Sequence, residues 1–174
     1  MCSTKHSLTQ LLIVLLMCVL SACAVSFKFN GASIDYSKTH SISIADFPNN
    51  AELVNPNLSN DFSEALRDQY RRQTRLEVLR QDGDLQLEGE ITGYNITNTA
   101  ISATSSYAAE TKLTITIKVR FKNNVNAEDD YEKSYTAYQT FDSSRMLTDV
   151  QDELCKTMIE EIVEQIYNDT VAKW

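Results

Sequence analysis

From Lys112 to Lys122 the chain alternates without a break. Leu113, Ile115, Ile117, Val119 and Phe121 interleave with Lys112, Thr114, Thr116, Lys118, Arg120 and Lys122. Successive side chains on a strand point to opposite faces, so this period of two puts every apolar group on one side and every polar group on the other. Such a strand needs a hydrophobic layer on one face and water on the other, the arrangement of an antiparallel sheet covered on a single side. The rest of the chain must therefore supply neighbouring strands and a cover.

The cover is readable as two amphipathic helices. Leu58, Phe62, Ala65, Leu66 and Tyr70 recur at spacings of three and four, with Asn57 or Ser59 placed to cap the N-terminus. A second helix starts near Thr148 or Asp149 and carries Val150, Leu154, Met158, Ile162 and Ile166, opposite Asp152, Glu153, Lys156, Glu160, Glu161 and Glu164. That apolar stripe is most simply a seam against the sheet. Further strands are expected from Val25 to Ile34, with a break at Gly31, around Ile42 and Ile44 before the Phe47-Pro48-Asn49-Asn50 turn, and over Thr74–Arg80, Leu85–Ile96 and Tyr131–Phe141. Gly83 is expected to supply a positive φ in the Gln81–Asp84 turn. Gly89 and Gly93 fall on one face of their strand, which predicts either a close approach by another segment or a bend. Residues Thr97 to Tyr107 read as a long, polar hairpin tip. The fold class that follows is α+β: two helices packed on a mainly antiparallel sheet of four or more strands.

The first residues belong to a different kind of segment. A short polar stretch with Lys5 leads into apolar residues from Leu11 to Leu20 and then Ser21-Ala22-Cys23. A membrane-spanning helix needs about 20 apolar residues, so this run suits a signal peptide rather than an anchor. Leu20-Ser21-Ala22-Cys23 resembles the lipobox of bacterial lipoproteins, which implies that residues 1–22 are removed and that Cys23 is lipidated. A thiolate is a better nucleophile near neutral pH than any hydroxyl, which suits thioether formation at Cys23. Several acyl chains hold a protein to a bilayer where one binds only marginally. The alternative is a plain secreted protein with a cysteine by chance after its cleavage site. Residues 23–174 are expected to form one domain, long enough to bury about two thirds of its unfolded surface.

Composition narrows the chemistry. Of 16 lysines and arginines cleavage removes only Lys5, leaving 15 against 24 acidic residues, a net charge of −9 that argues against nucleic acid as partner. Cys2 and Cys18 leave with the signal and Cys23 is taken by lipid, so Cys155 has no disulfide partner and reads as an inert thiol. His40 is the one histidine remaining, which excludes a multi-histidine metal site and leaves a triad a single candidate base. The carboxylates Asp82 with Asp84, Glu88 with Glu90, and Glu128-Asp129-Asp130 read as solvated, and Asp82/Asp84 lacks the further ligands of a calcium loop. No catalytic constellation, metal site or cofactor motif is expected. One patch stands out: Lys112, Lys118, Arg120 and Lys122 share the wet face of one strand in an acidic protein, a candidate site for the phosphates of a lipid headgroup. The competing reading is an ordinary solvent face with cross-strand acids such as Glu132.

The order of elements and a set of local segments resemble the LptE type of lipopolysaccharide-assembly lipoprotein, especially its Bacteroidetes branch. The residues carrying that resemblance include Phe47-Pro48-Asn49-Asn50-Ala51, Val54-Asn55-Pro56, Gln73-Thr74-Arg75-Leu76, Gly83 to Tyr94, Leu113 to Phe121, Phe141-Asp142-Ser143-Ser144 and Val171-Ala172-Lys173-Trp174. The resemblance implies an outer-membrane lipoprotein that plugs the LptD-type β-barrel, aids its assembly and takes part in delivering lipopolysaccharide to the cell surface. It implies no enzymatic step, no cofactor and no residue-level lipid site. A periplasm-facing, transporter-auxiliary lipoprotein without a barrel partner is the alternative. An anchored hydrolase has only His40 and scattered carboxylates behind it.

Overall fold

A computed structural model describes residues 34–53, 55–98 and 109–171. Five strands form one sheet: β1 (Ser41–Ile44), β2 (Glu77–Leu79), β3 (Leu85–Asn98), β4 (Glu110–Asn123) and β5 (Tyr131–Asp142). Two helices, α1 (Leu58–Gln73) and α2 (Leu147–Thr170), complete the α+β architecture. The strand order is β2-β1-β3-β4-β5. The long β3-β4-β5 meander is antiparallel, while the short β1 runs parallel to both β2 and β3. The expected strand over Val25–Ile34 lies outside the described residues apart from Ile34, which is coil.

The alternation in β4 translates directly into layers. Leu113, Ile115, Ile117 and Val119 are fully buried, and Phe121 nearly so, beneath the helices. Facing them, α1 presents Leu58, Phe62, Leu66 and Tyr70, and α2 presents Met158, Ile159, Ile162, Val163 and Ile166. Burying each large apolar side chain contributes on the order of 1.5 to 3 kcal/mol before conformational entropy is counted. The buried stripe of α2 drifts across the helix because four-residue spacing overshoots a 3.6-residue turn. Leu154 is thereby only half-buried, and Cys155 is fully buried in its place.

Several local expectations are corrected. Helix α1 starts at Leu58, but the Asn57 side chain makes no capping bond. Instead Asn55 Oδ1 accepts the Asn57 N–H at 3.1 Å, and Ser59 Oγ donates to Phe47 O at 2.6 Å. The segment expected to be extended from Thr74 is strand only over Glu77–Leu79, because Thr74 closes α1: its N–H and its hydroxyl both donate to Tyr70 O. The positive φ of the following turn belongs to Asp82 (59°), not to Gly83. Glycine is required at Gly83 for space, since a Cβ there would collide with the backbone of Ser43 and Ile42.

Gly89 and Gly93 do not share a face. A β-bulge between Ile91 and Gly93 inserts Thr92, so Gly89 pairs with Val119 on the core side and Gly93 with Thr116 on the wet side. Both physical readings of the glycines are realised, one at each. The Phe47 ring lies over Gly89, where a Cβ would stand 2.7 Å from Phe47 Cε1, and the strand is irregular beside Gly93. Phe47 in turn packs edge-on against Phe62 of α1, with ring centroids 5.0 Å apart. This strap from Ala45 to Asn50 continues along β3: Ala45 N–H donates to Leu87 O, Ile91 N–H to Pro48 O and Asn50 N–H to Ile91 O.

Candidate functional site

The face of β3, β4 and β5 turned away from the helices holds all four cations singled out in the sequence. Register places them in cross-strand rows: Glu88–Arg120–Glu132, Glu90–Lys118–Ser134, Gly93–Thr116–Thr136, Asn95–Thr114–Tyr138 and Thr97–Lys112–Thr140. The face therefore divides into an end crowded with charges of both signs and an end rich in hydroxyls on which Lys112 is the one charge among these rows.

At the charged end the cations are not free. Lys118 Nζ lies 2.7 Å from Glu132 Oε1, and Arg120 grips Glu132 Oε2 through Nε at 3.1 Å and a terminal nitrogen at 3.0 Å. The other terminal nitrogen of Arg120 reaches Glu88 at 3.4 Å. Hydrogen bonds from Lys118 and then Arg120 hold the Glu132 carboxyl below the usual range, and the same pair of acids raises the Arg120 guanidinium. These groups are exposed, so water and salt screen their attraction. A groove of about 340 Å³ runs between this ladder and the Ala45–Pro48 strap, lined by Asp46, Pro48, Glu88, Glu90, Lys118 and Glu132 among others. Its lining carries both signs of charge. Asn50 Nδ2 donates to Glu90 Oε2 at 2.7 Å and ties the strap to the same ladder.

The two remaining cations sit apart. Lys112 places its ammonium 5.2 Å from the centroid of the Tyr138 ring, a cation–π contact on the hydroxyl-rich end. Lys122 has no ion pair among the described residues. The strand thus brings Lys118 and Arg120 together around Glu132 and leaves Lys112 and Lys122 at its two ends.

The other sequence candidates are structural. His40 is exposed; its backbone N–H, with that of Ser41, donates to Asp84 Oδ2 at 2.7 and 3.1 Å. Those bonds hold the Asp84 carboxyl below its ordinary pKa against the opposing effect of burial, and clamp the start of β1 to the start of β3. Cys155 lies 3.6 Å from Asn55 Nδ2 and 4.0 Å from Tyr94 OH, and burial pushes its thiol up, away from the reactive thiolate. Among the described residues no group of His, Cys, Asp or Glu could hold a metal ion, and no helix is long and apolar enough to cross a membrane.

Two polar networks escaped the sequence reading. Arg67, with a side chain only 3% exposed, donates to Ile44 O at 3.3 Å, to Glu64 at 2.7 Å and to Asp46. Its position with Ser63 and Tyr70 on the buried side of α1 was the available signal. At the other end of the sheet, Asp169 of α2 accepts from Tyr135 OH at 2.7 Å and pairs with Lys133 at 2.6 Å, fastening α2 to β5. Tyr131 bonds the same Tyr135 hydroxyl, and burial pushes the Tyr131 phenol up to about 12.

Comparisons with known proteins agree with this architecture. A family model described as LptE, lipopolysaccharide-assembly, matches residues 39–170. No curated protein sequence matches. Among solved structures, the chain is similar to the hypothetical protein CT253 from Chlamydia trachomatis, with TM-score 0.50 and 12% identity over 76% of this chain and 98% of that one. It is also similar to the rare lipoprotein B from Shewanella oneidensis (TM-score 0.49, 11% identity, 74% and 92%) and to a minor lipoprotein from Acinetobacter baumannii (0.43, 13%, 71% and 90%). At such identities the solved structures speak to fold alone. The family match takes in all five strands and both helices, and the chain belongs to the LptE family of lipopolysaccharide-assembly proteins.

Proposed function

We propose that this protein is an outer-membrane lipoprotein, anchored through Cys23 after removal of residues 1–22, that seats as a plug in an LptD-type β-barrel. In that place it aids assembly of the barrel and takes part in lipopolysaccharide delivery at the cell surface. The observation that carries this reading is the family match over residues 39–170. The geometry supports it in a specific way: among the described residues one sheet face is mostly polar and carries no helix, which suits the water-lined lumen of a large barrel. A lipid anchor would raise the local concentration of the domain beside its partner. Affinity purification of the lipidated protein with crosslinking and mass spectrometry tests the proposal. Recovery of a large outer-membrane barrel is expected. Recovery of a transporter complex without a barrel would move the assignment to a transporter-auxiliary lipoprotein. Replacing Cys23 by Ser should abolish incorporation of labelled palmitate.

Within this reading, Lys112, Lys118, Arg120 and Lys122 contact lipopolysaccharide phosphates. Because Glu132 already occupies Lys118 and Arg120, a phosphate must compete with a carboxylate there, whereas Lys122 has no ion pair among the described residues. Lys118→Ala with Arg120→Ala should weaken binding of purified lipopolysaccharide and flatten its salt dependence. Unchanged binding would reduce the ladder to a solvent face. Glu132→Gln should strengthen binding, the opposite sign to loss of a mere packing contact.

A further inference from the structure

A second depression lies at the end of the sheet where β3 begins and β4 ends. It is a bowl of about 420 Å³ whose lining joins the buried Leu85, Phe121 and Val171 to Val125, which is 42% exposed. An apolar strip thus climbs from the core to the rim, and Val125 at its top is left in water. The half-buried Ile34, on the segment before β1, lines the bowl as well. At the rim Asp35 and Asp129 stand against Lys38, an excess of one acid among the described residues.

The point at which the chain leaves α2 is fixed at this bowl. Val171 N–H donates to Tyr167 O at 3.0 Å and its side chain is fully buried. The preceding Thr170 hydroxyl donates to Ile166 O at 2.8 Å and accepts from the buried Tyr70 hydroxyl. Ala172, Lys173 and Trp174 come next and lie outside the described residues. Three residues reach at most about 11 Å, so the Trp174 Cα stays near the bowl whatever path the backbone takes. Trp174 is the one tryptophan of the chain. An indole gains much from apolar cover, since a tryptophan buries about 150–250 Å² when packed.

We infer that the Trp174 ring seats in this bowl, covering Val125, while Lys173 offsets the acid excess at the rim. The segment thereby fastens the end of α2 to the β4–β5 loop and to the residues before β1, three parts of the chain far apart in sequence. Attachment through three residues gives the ring an effective concentration at the bowl that a second copy does not match in dilute solution. The inference does not depend on which membrane or barrel the protein serves.

A single tryptophan makes the test direct. In the full chain its emission should lie to the blue of the urea-unfolded chain and be shielded from acrylamide. In NMR spectra its indole protons should show NOEs to the methyls of Val125 and Leu85. Val125→Asp alters an exposed rim residue, so the circular dichroism should be kept while the emission moves to the red and quenching approaches that of the unfolded chain. Lys173→Glu should move both in the same direction by less, and added salt should narrow its difference from wild type. A red, freely quenched tryptophan in the folded wild type would mean that the bowl stays open to water. A shielded tryptophan without these NOEs, and indifferent to Val125→Asp, would mean that the ring packs elsewhere. NOEs found only between differently labelled chains in a mixture would mean that a second copy supplies the ring. Any of these three results overturns the inference.

Discussion

Replacing Arg67 by Met isolates what a buried guanidinium does in this fold. The phase of β1 explains the demand for it. Glu77 N–H donates to His40 O, so His40, Ile42 and Ile44 direct their backbone groups toward β2, whose register ends with Leu79 opposite Ser43. Ile44 O thus extends past the end of β2, and Arg67 Nε supplies its donor at 3.3 Å. Methionine keeps most of the buried stem and deletes the head. The fully buried Ile44 loses that donor, at a cost of about 1–3 kcal/mol. Asp46 and Glu64 are 69% and 43% exposed and return to water, so each lost ion pair is worth about 0–1 kcal/mol. The expected loss is about 2–4 kcal/mol, read as a lower urea midpoint by circular dichroism at unchanged slope. A domain of this size should then melt roughly 5–12 °C lower. Arg67→Lys should fall between the two, because one ammonium cannot reproduce the three-way fork. In an Asp46→Ala background most of the Arg67→Met effect should survive. A total loss under about 0.5 kcal/mol, or a loss that vanishes with Asp46, would refute the assignment of Arg67 to the Ile44 carbonyl.

Three further outcomes follow from the same geometry. Gly89→Ala drives a methyl into Lys118 O and the Phe47 ring and should cost about 2 kcal/mol or more in urea unfolding; adding Phe47→Leu should recover only part, since the Lys118 carbonyl stays. Asp84→Asn should cost about 1 kcal/mol at neutral pH. The wild-type carboxyl has its pKa depressed in the folded state, so its stabilisation is present above the usual Asp range and lost as pH falls through the folded value; wild type and variant should converge in acid melts. With the other cysteines replaced by Ser, Cys155 should react with maleimide only as fast as the domain opens, so urea should raise the rate in step with unfolding, and fast labelling of the native chain would contradict its burial.

What was legible in the sequence was set by local periodicity, and what was not depended on residues far apart. The alternation of β4 fixed its faces, and the apolar spacing of α1 and α2 located both helices, because each pattern repeats within one element. The start of β2 was misplaced because Thr74 has strand propensity yet closes the helix, accepting the Leu76 N–H on its hydroxyl and donating to Tyr70 O. The bulge at Thr92 could not be read from Gly89 and Gly93, since glycine is equally consistent with close approach and with a bend. Parallel pairing of β1 was hidden by the brevity of a four-residue strand. The cation patch was visible as composition, but its neutralisation depends on Glu88 and Glu132 arriving from two other strands in the right register. For Arg67 the spacing with Ser63 and Tyr70 could mark a buried position on α1, but not its partner, because the need for a donor arises from where β2 stops.

The same contacts link stability to the shape of the candidate site. Only the inner face of the sheet holds the helices, so the polar face contributes little to the core and can vary without unfolding the domain. Its groove, however, has one wall made by the Ala45–Pro48 strap, and that strap is held by contacts on the covered side of the sheet and at its margin. Phe47 inserts between Gly89 and Phe62, Ser63 Oγ accepts the Phe47 N–H at 3.0 Å, and Arg67 secures both Ile44 and Asp46. A change at Arg67 therefore moves the groove wall beside Lys118 and Arg120 while touching no groove cation, and one at Gly89 moves the same wall and also presses on the Lys118 carbonyl. Among the described residues Tyr138 and Lys112, at the far end of the face, have no such support and rest on the β4–β5 register. The charged end of the face is consequently coupled to the fold through the strap, and the hydroxyl-rich end is not.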